Sequence, residues 1–167
     1  MLIYHPAFDA YHCVFRMLAL IESSTTLEID RARLLDFYLA FPSAIGDIRL
    51  PTTLSHGRRL GKDLGNIYRN PLDSKAVFRD MSQIQNAALR SIAALGLIDV
   101  SCYEKGILKR VPSESIPAVL MRKLKEYFDA RLEILEFLLK DLAPIPLRGV
   151  DGLKHRTMLL EYRYDLA

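Results

Sequence analysis

Apolar positions along the chain repeat mostly at helical spacing. Tyr11, Val14, Phe15, Met17, Leu18 and Ile21 cover most of the wheel of a helix running from Pro6 to Glu22, at about 100° per residue. They leave Asp9, His12 and Arg16 in one narrow polar stripe. A helix with so little polar circumference is expected to be largely buried, so its polar stripe must find partners inside the fold. Pro6 suits the first turn, where its missing N–H costs nothing. A second helix fits Asp30 to Phe41, with Asp30 as its cap, Leu34, Leu35 and Tyr38 repeating, and Pro42 preventing continuation. From Pro42 to Pro71, prolines and the run Gly57, Gly61, Gly65 separate short apolar pieces, which predicts short helices and loops.

Helical periodicity returns from Ser74 to Leu95, where Phe78, Met81, Ile84, Ala88, Ile92 and Leu95 share a stripe. Gly96 follows, where a left-handed cap ends a helix. Ile98, Val100 and Cys102 then alternate with Asp99, Ser101 and Tyr103, and Glu104-Lys105-Gly106 precedes a second short run, Ile107 to Val111; the pattern predicts a β-hairpin. A helix passing through Ala-Leu-Gly-Leu-Ile into a hairpin is the layout of a winged helix-turn-helix. The last long element is read as one helix from Ser115, its cap, to Asp141, with Leu120, Leu124, Tyr127, Phe128, Leu132, Ile134, Leu135, Leu138, Leu139 and Leu142 in a stripe roughly 160° wide. Pro144 and Pro146 break it, and a short basic, aromatic-bearing tail follows, helical over Leu153 to Leu160. The expected fold class is mainly α with a small β-hairpin. It comprises an N-terminal helix and winged helix-turn-helix core over residues 1–112, and a long amphipathic helix with a basic tail over 113–167, packed together as a single folding unit.

Composition adds limits. Half of the 167 residues are apolar and 26% are charged, which suits a cored domain and excludes disorder for most of the chain. Lys plus Arg is 23 against 20 for Asp plus Glu, and a net +3 is too small to mark a nucleic-acid binder. Cys13 and Cys102 lie far apart and fit no metal or redox spacing, which suits a reducing, cytoplasmic setting. The start lacks a basic n-region, and the longest apolar runs are about five residues against roughly 18 for a bilayer span, so neither signal peptide nor membrane span is expected.

The candidate chemistry is sparse. His5, Asp9, His12 and Cys13 are potential metal ligands at helical spacing, but His12 and Cys13 project about 100° apart and no tetrahedral set forms; no metal is expected. Asp9, near a helix start and bonded to His12 or Arg16, is the better reading of that stripe. The segment Gly57 to Asp63 is one residue short of a phosphate-binding loop and has Asp63 where Ser or Thr would hold Mg²⁺, so neither nucleotide nor other cofactor is assigned. Arg58, Arg59 and Lys62, together with Lys109 and Arg110 of the expected wing, are the candidate phosphate contacts. No Ser/His/Asp set, Cys/His set or acidic pair emerges, so no catalytic residue and no enzyme is expected. Val119 and Phe137 project roughly 140° from the centre of the long helix's leucine stripe, which makes them candidate partner-binding residues. Arg131 falls inside the stripe and must pair with a carboxylate or reach to an edge.

The string His5-Pro6-Ala7-Phe8-Asp9-Ala10-Tyr11-His12-Cys13, followed by Phe15-Arg16, resembles the opening of the middle-component family of bacterial ABC three-component systems, the group to which Lamassu-type antiphage and antiplasmid defence belongs. Leu34-Leu35-Asp36-Phe37-Tyr38-Leu39 with Phe41-Pro42, and Ala94-Leu95-Gly96-Leu97-Ile98, are similar to that family's winged-helix core. The resemblance implies a small non-catalytic subunit that binds a Rad50- or SMC-like ABC ATPase and couples it to an effector, often a nuclease. DNA would then be reached through the complex. A stand-alone winged-helix DNA-binding regulator is the alternative.

Overall fold

The computed structural model describes residues 5–112 and 116–166, so Ser115, the expected cap of the last long helix, lies outside the described residues. The described residues begin with a 3₁₀ turn, Pro6–Phe8, and then α1, Ala10–Glu22. The expected single helix from Pro6 is divided because Asp9 is extended and acts as the N-cap of α1, its carboxylate accepting the His12 N–H at 2.9 Å. Eight residues of α1 are buried, from Cys13 through Ile21 apart from Val14, in keeping with its wide apolar wheel.

Strand β1, Thr26–Glu28, leads into α2, Ile29–Ala40. Helix α2 starts one residue before the expected cap: Glu28 holds the N-cap position, and Asp30 lies in the first turn, where its charge suits the positive helix end. Arg31, Ala32 and Leu34 through Leu39 are buried, which makes α2 the central helix. Pro42 ends it and opens a second 3₁₀ turn, Pro42–Asp47. Thr52–Leu54 forms a third, and α3, His56–Leu64, follows. Helix α4, Ser74–Ala94, is capped by Asp73 and stopped at Gly96, whose φ of 74° is the left-handed conformation the sequence required.

Of the hairpin expected after Gly96 only its base forms, an antiparallel bridge of Ile98 to Arg110 flanked by hydrogen bonds from the Asp99 N–H to the Lys109 carbonyl and from the Val111 N–H to the Leu97 carbonyl, each 2.9 Å. Asp99 instead caps a short helix, α5, Val100–Glu104, accepting from the Cys102 N–H at 2.9 Å and the Ser101 hydroxyl at 2.7 Å. That capping chemistry overrides the alternation of Ile98, Val100 and Cys102. Strand β2, Ile107–Lys109, pairs antiparallel with β1 in the register Thr26↔Lys109, Leu27↔Leu108, Glu28↔Ile107. Leu27 and Leu108 face each other from buried positions. Ile98 contributes only a single bridge to Arg110.

The long helix expected from Ser115 to Asp141 is broken. Helix α6, Ala118–Ala130, ends at Arg131 (φ −131°, ψ 22°); α7, Leu132–Glu136, then runs into a π-helical turn, Phe137–Leu142. This break changes which side chains face inward. Phe137, expected to face solvent or another chain, is 3% exposed and belongs to the core, whereas Leu132, assigned to the inward stripe, is 56% exposed. Arg131 reaches an edge, its guanidinium 4.4 Å above the Tyr127 ring. Beyond Pro144, Arg31 donates to the carbonyls of Ala143 and Ile145, and α8, Leu153–Thr157, sits where Lys154 pairs with Asp30 at 3.4 Å. The basic tail thus spends cations on the core, and its helix stops at Met158 (φ 59°), short of Leu160.

Helix α3 shows what the glycine run is for. Gly57 and Gly61 are buried on the face turned toward the Pro42–Asp47 turn and Phe137. A Cβ at Gly61 would stand 2.6 Å from the Pro42 carbonyl oxygen, and one at Gly57 would run into the Phe137 ring. Gly46 has nothing within 4 Å of the same position. Gly61→Ala is therefore expected to destabilise the chain by about 1–3 kcal/mol, because backbone must move to admit the methyl. Gly46→Ala should cost far less; urea unfolding of both variants checks the contrast.

Candidate functional site

One polar cluster lies inside the helical core. Arg16 of α1 is 3% exposed and Asp36 of α2 is 0% exposed, and the Arg16 Nε donates to Asp36 Oδ1 at 2.5 Å. Burying two charges is tolerable only when both are paired and their remaining donors and acceptors are filled. Here they are: Arg16 also donates to the Pro6 carbonyl at 3.0 Å, and Asp36 Oδ2 accepts from the Gln85 amide at 2.9 Å. Gln85, fully buried on α4, is itself satisfied by the Arg33 carbonyl and the Arg33 Nε. Burial alone would lower the Arg16 pKa, but the charge and hydrogen bond of Asp36 outweigh it and raise it, so the guanidinium stays charged. Burial and the neighbouring Asp36 charge push the Cys13 thiol up, which keeps it protonated beside Asp36 Oδ2 at 3.9 Å.

The N-terminal polar stripe is paired in two parts: Asp9 caps α1 and meets the His12 ring at 3.1 Å, while Arg16 turns inward to Asp36. The possible ligand group separates in the same way, because Cys13 points toward Asp36 and the His5 Nδ1 accepts the Ala7 N–H. Among the described residues, no group of three or more His, Cys, Asp or Glu side chains is placed to hold a metal ion. Asp36 and Gln85 were not singled out in the sequence. The signal was present: a carboxylate inside the apolar run Leu34 to Leu39, and a glutamine four residues after Met81 on the buried stripe of α4.

The expected phosphate contacts divide. Arg58, Arg59 and Lys62 are exposed on the face of α3 opposite its glycines, with Arg59 3.6 Å from Asp63. Lys109 is exposed on β2. Arg110 is not available in that way: it pairs with Glu22 at the end of α1 and donates to the Leu97 and Val111 carbonyls, latching sheet to helix. Of the two candidate partner residues, Val119 is 62% exposed and Phe137 is core, in edge-to-face contact with His56 at 5.5 Å. His56 in turn meets Asp141 at 3.2 Å, so α3 and the π-helical turn are joined by packing and polar contact together.

An open depression lies elsewhere. A cavity of about 750 Å³ opens between the α6–α7 break and the segment from Leu64 to Asn70, floored by Leu39, Phe41, Pro42 and Ile134. No helix among the described residues is long and apolar enough to cross a membrane.

A family model for the ABC-three component (ABC-3C) system Middle Component 5 matches residues 2–165, and the chain belongs to that family. No curated protein and no solved structure matches it.

The buried cluster generates a contrast that stability measurements can read. Asp36→Ala leaves Arg16 charged and unpaired in the core and is expected to cost about 3–5 kcal/mol. The double variant Arg16→Met, Asp36→Leu removes both charges and should recover most of that loss, as measured by urea unfolding. In the folded chain Cys13 should resist alkylation by iodoacetamide and react only on denaturation, given its burial and raised pKa.

Proposed function

We propose that, as a Middle Component 5 protein of an ABC-three component system, this chain is a non-catalytic adaptor that joins a Rad50- or SMC-like ABC ATPase to an effector, often a nuclease, in Lamassu-like antiphage or antiplasmid defence. The single observation carrying this reading is the family match over residues 2–165. A middle component of a three-component system works among protein partners. The chain's own polar clusters support a scaffolding role: Arg16, Asp36 and Gln85 join three helices, and Arg31 and Lys154 hold the C-terminal segment on α2. ATP hydrolysis and DNA cleavage are assigned to the partners.

The core is read as winged-helix-like. Support comes from the order of elements: α1, β1, α2 and α4 precede β2, and three extended pieces lie side by side as β1, β2 and Ile98. That order also favours the second reading, a stand-alone DNA-binding regulator. Against it, α4, the helix that would enter a groove, exposes Lys75, Arg79 and Arg90 among Asp80, Gln83 and Asn86, and Arg79 is paired with Asp80 at 3.4 Å, which leaves few free cations for phosphate. DNA is therefore assigned to the assembled complex, with Arg58, Arg59, Lys62 and Lys109 as its phosphate contacts and a cytoplasmic location for the whole.

Co-expression of the tagged chain with the ATPase and effector of its own operon tests the adaptor reading. A stoichiometric complex is expected, while the isolated chain hydrolyses no ATP and cuts no DNA. A sequence-specific shift of operator DNA by the isolated chain would transfer the assignment to the regulator. Reversing Arg58, Arg59 and Lys62 to Glu should weaken DNA binding by the complex similarly for all sequences and flatten its log–log salt slope by up to about 3.

A further inference from the structure

The long helices are not held equally. Eight of the 13 residues of α1 are buried, as are eight of the 12 in α2, whereas of the 13 in α6 Leu124 alone is. Leu120, Tyr127 and Phe128 are partly buried beside it, and Val119 and Met121 stand in solvent. Removal of apolar area from water is the main force that keeps a helix on its neighbours, so less holds α6 than α1 or α2.

The contact of α6 with α1 carries a second weakness. The Tyr127 hydroxyl is buried near Arg16, Asp36 and Cys13, yet it has no hydrogen-bond partner among the described residues. Arg131 does not supply one, because its guanidinium lies over the Tyr127 ring. A buried hydroxyl without a partner costs free energy that is recovered once water reaches it. At the surface the Lys123 ammonium donates to the Tyr11 hydroxyl at 2.6 Å, an exposed hydrogen bond that water can replace.

Both flanks of α6 are mechanically separate from it. Pro117 before it is extended (φ −50°, ψ 138°), and Arg131 after it leaves helical geometry, so the helix does not continue into α7. Beyond these interruptions the chain is anchored again, by Ile116 at 7% exposed on one side and by Ile134 and Leu135 in the core on the other. Loss of the α6 contact therefore need not propagate into either neighbour.

We propose that α6 is a strap, pinned at Ile116 and Ile134, that opens from α1 as one unit while the rest of the fold stays closed. Opening hydrates the Tyr127 hydroxyl and bares the side of α1 on which α6 packs, so that this face of α1 is available only in the open state. Elements that move are drawn from the least stable units of a fold, and single deep burial, an unpaired hydroxyl and interrupted ends mark α6 as such a unit.

Native-state hydrogen exchange of the full chain, followed by NMR at rising urea below the unfolding transition, tests this. Amides of residues 122–130 are expected to exchange about 100-fold or more faster than those of residues 17–21 in α1. Their rates should be nearly flat in urea, since opening exposes little surface, while those of α1 climb steeply. Tyr127→Phe keeps the ring and removes the hydroxyl, and is expected to slow exchange in α6 about threefold or more with α1 unchanged. If α6 shares the rates and urea slope of α1, it belongs to the global unit and the strap is overturned. A gradient of rates inward from one end of α6, in place of a common rate, would be fraying and would overturn the single unit. Exchange in α6 that is unchanged or faster in Tyr127→Phe would show that the hydroxyl is satisfied and overturn its part in the opening.

Discussion

The helical core is organised around a buried ion pair. Arg16 and Asp36 meet where α1 and α2 cross, and Gln85 brings α4 to the same carboxylate. Such a pair adds little net stability over apolar side chains of equal volume, since desolvation offsets most of the attraction. Its effect is selective. A shift of any of the three helices along its neighbours strands a charge or an amide in the core, so the pair excludes packings that the leucines alone would allow.

The second half of the chain is positioned by close approach rather than by charge. The glycine face of α3 lets that helix settle against the Pro42–Asp47 turn and leaves room over Gly57 for Phe137. The π-helical turn from Phe137 to Leu142 widens the helix there, and it is the element that brings Phe137 inward. Arg31 then receives the carbonyls of Ala143 and Ile145, which fixes the exit of the turn on α2. The break at Arg131 has the opposite result for α7's first residue, Leu132, which it leaves in solvent at the edge of the cavity. Two deviations from regular helix thus close the core on one side and leave a leucine in water on the other.

The chain belongs to a middle-component family of a three-component system. The buried cluster and the clamped tail hold its core together, while the outward face of α3 leaves Arg58 and Lys62 in solvent.

The sequence by itself determined the helices whose signals are local. The stop of α2 at Pro42 and the end of α4 at Gly96 follow from single residues with fixed backbone preferences, and the extensive burial of α1 follows from its wheel. The resemblance carried by residues 5–16 was legible for the same reason, as a run of neighbours. What the tertiary structure decided were pairings between distant residues. Strand β2 pairs with Thr26 to Glu28 some eighty positions earlier, and the capping chemistry of Asp99 limits the nearer pairing to a single bridge at Ile98. Arg16 had Asp9 about two turns away on its own side, yet Asp36 lay in the desolvated interior where its charge demanded a partner. The leucine stripe from Leu120 to Leu142 read as one helix because periodicity cannot register a break that costs little locally and is repaid by burying Phe137 over Gly57, a contact 80 residues apart.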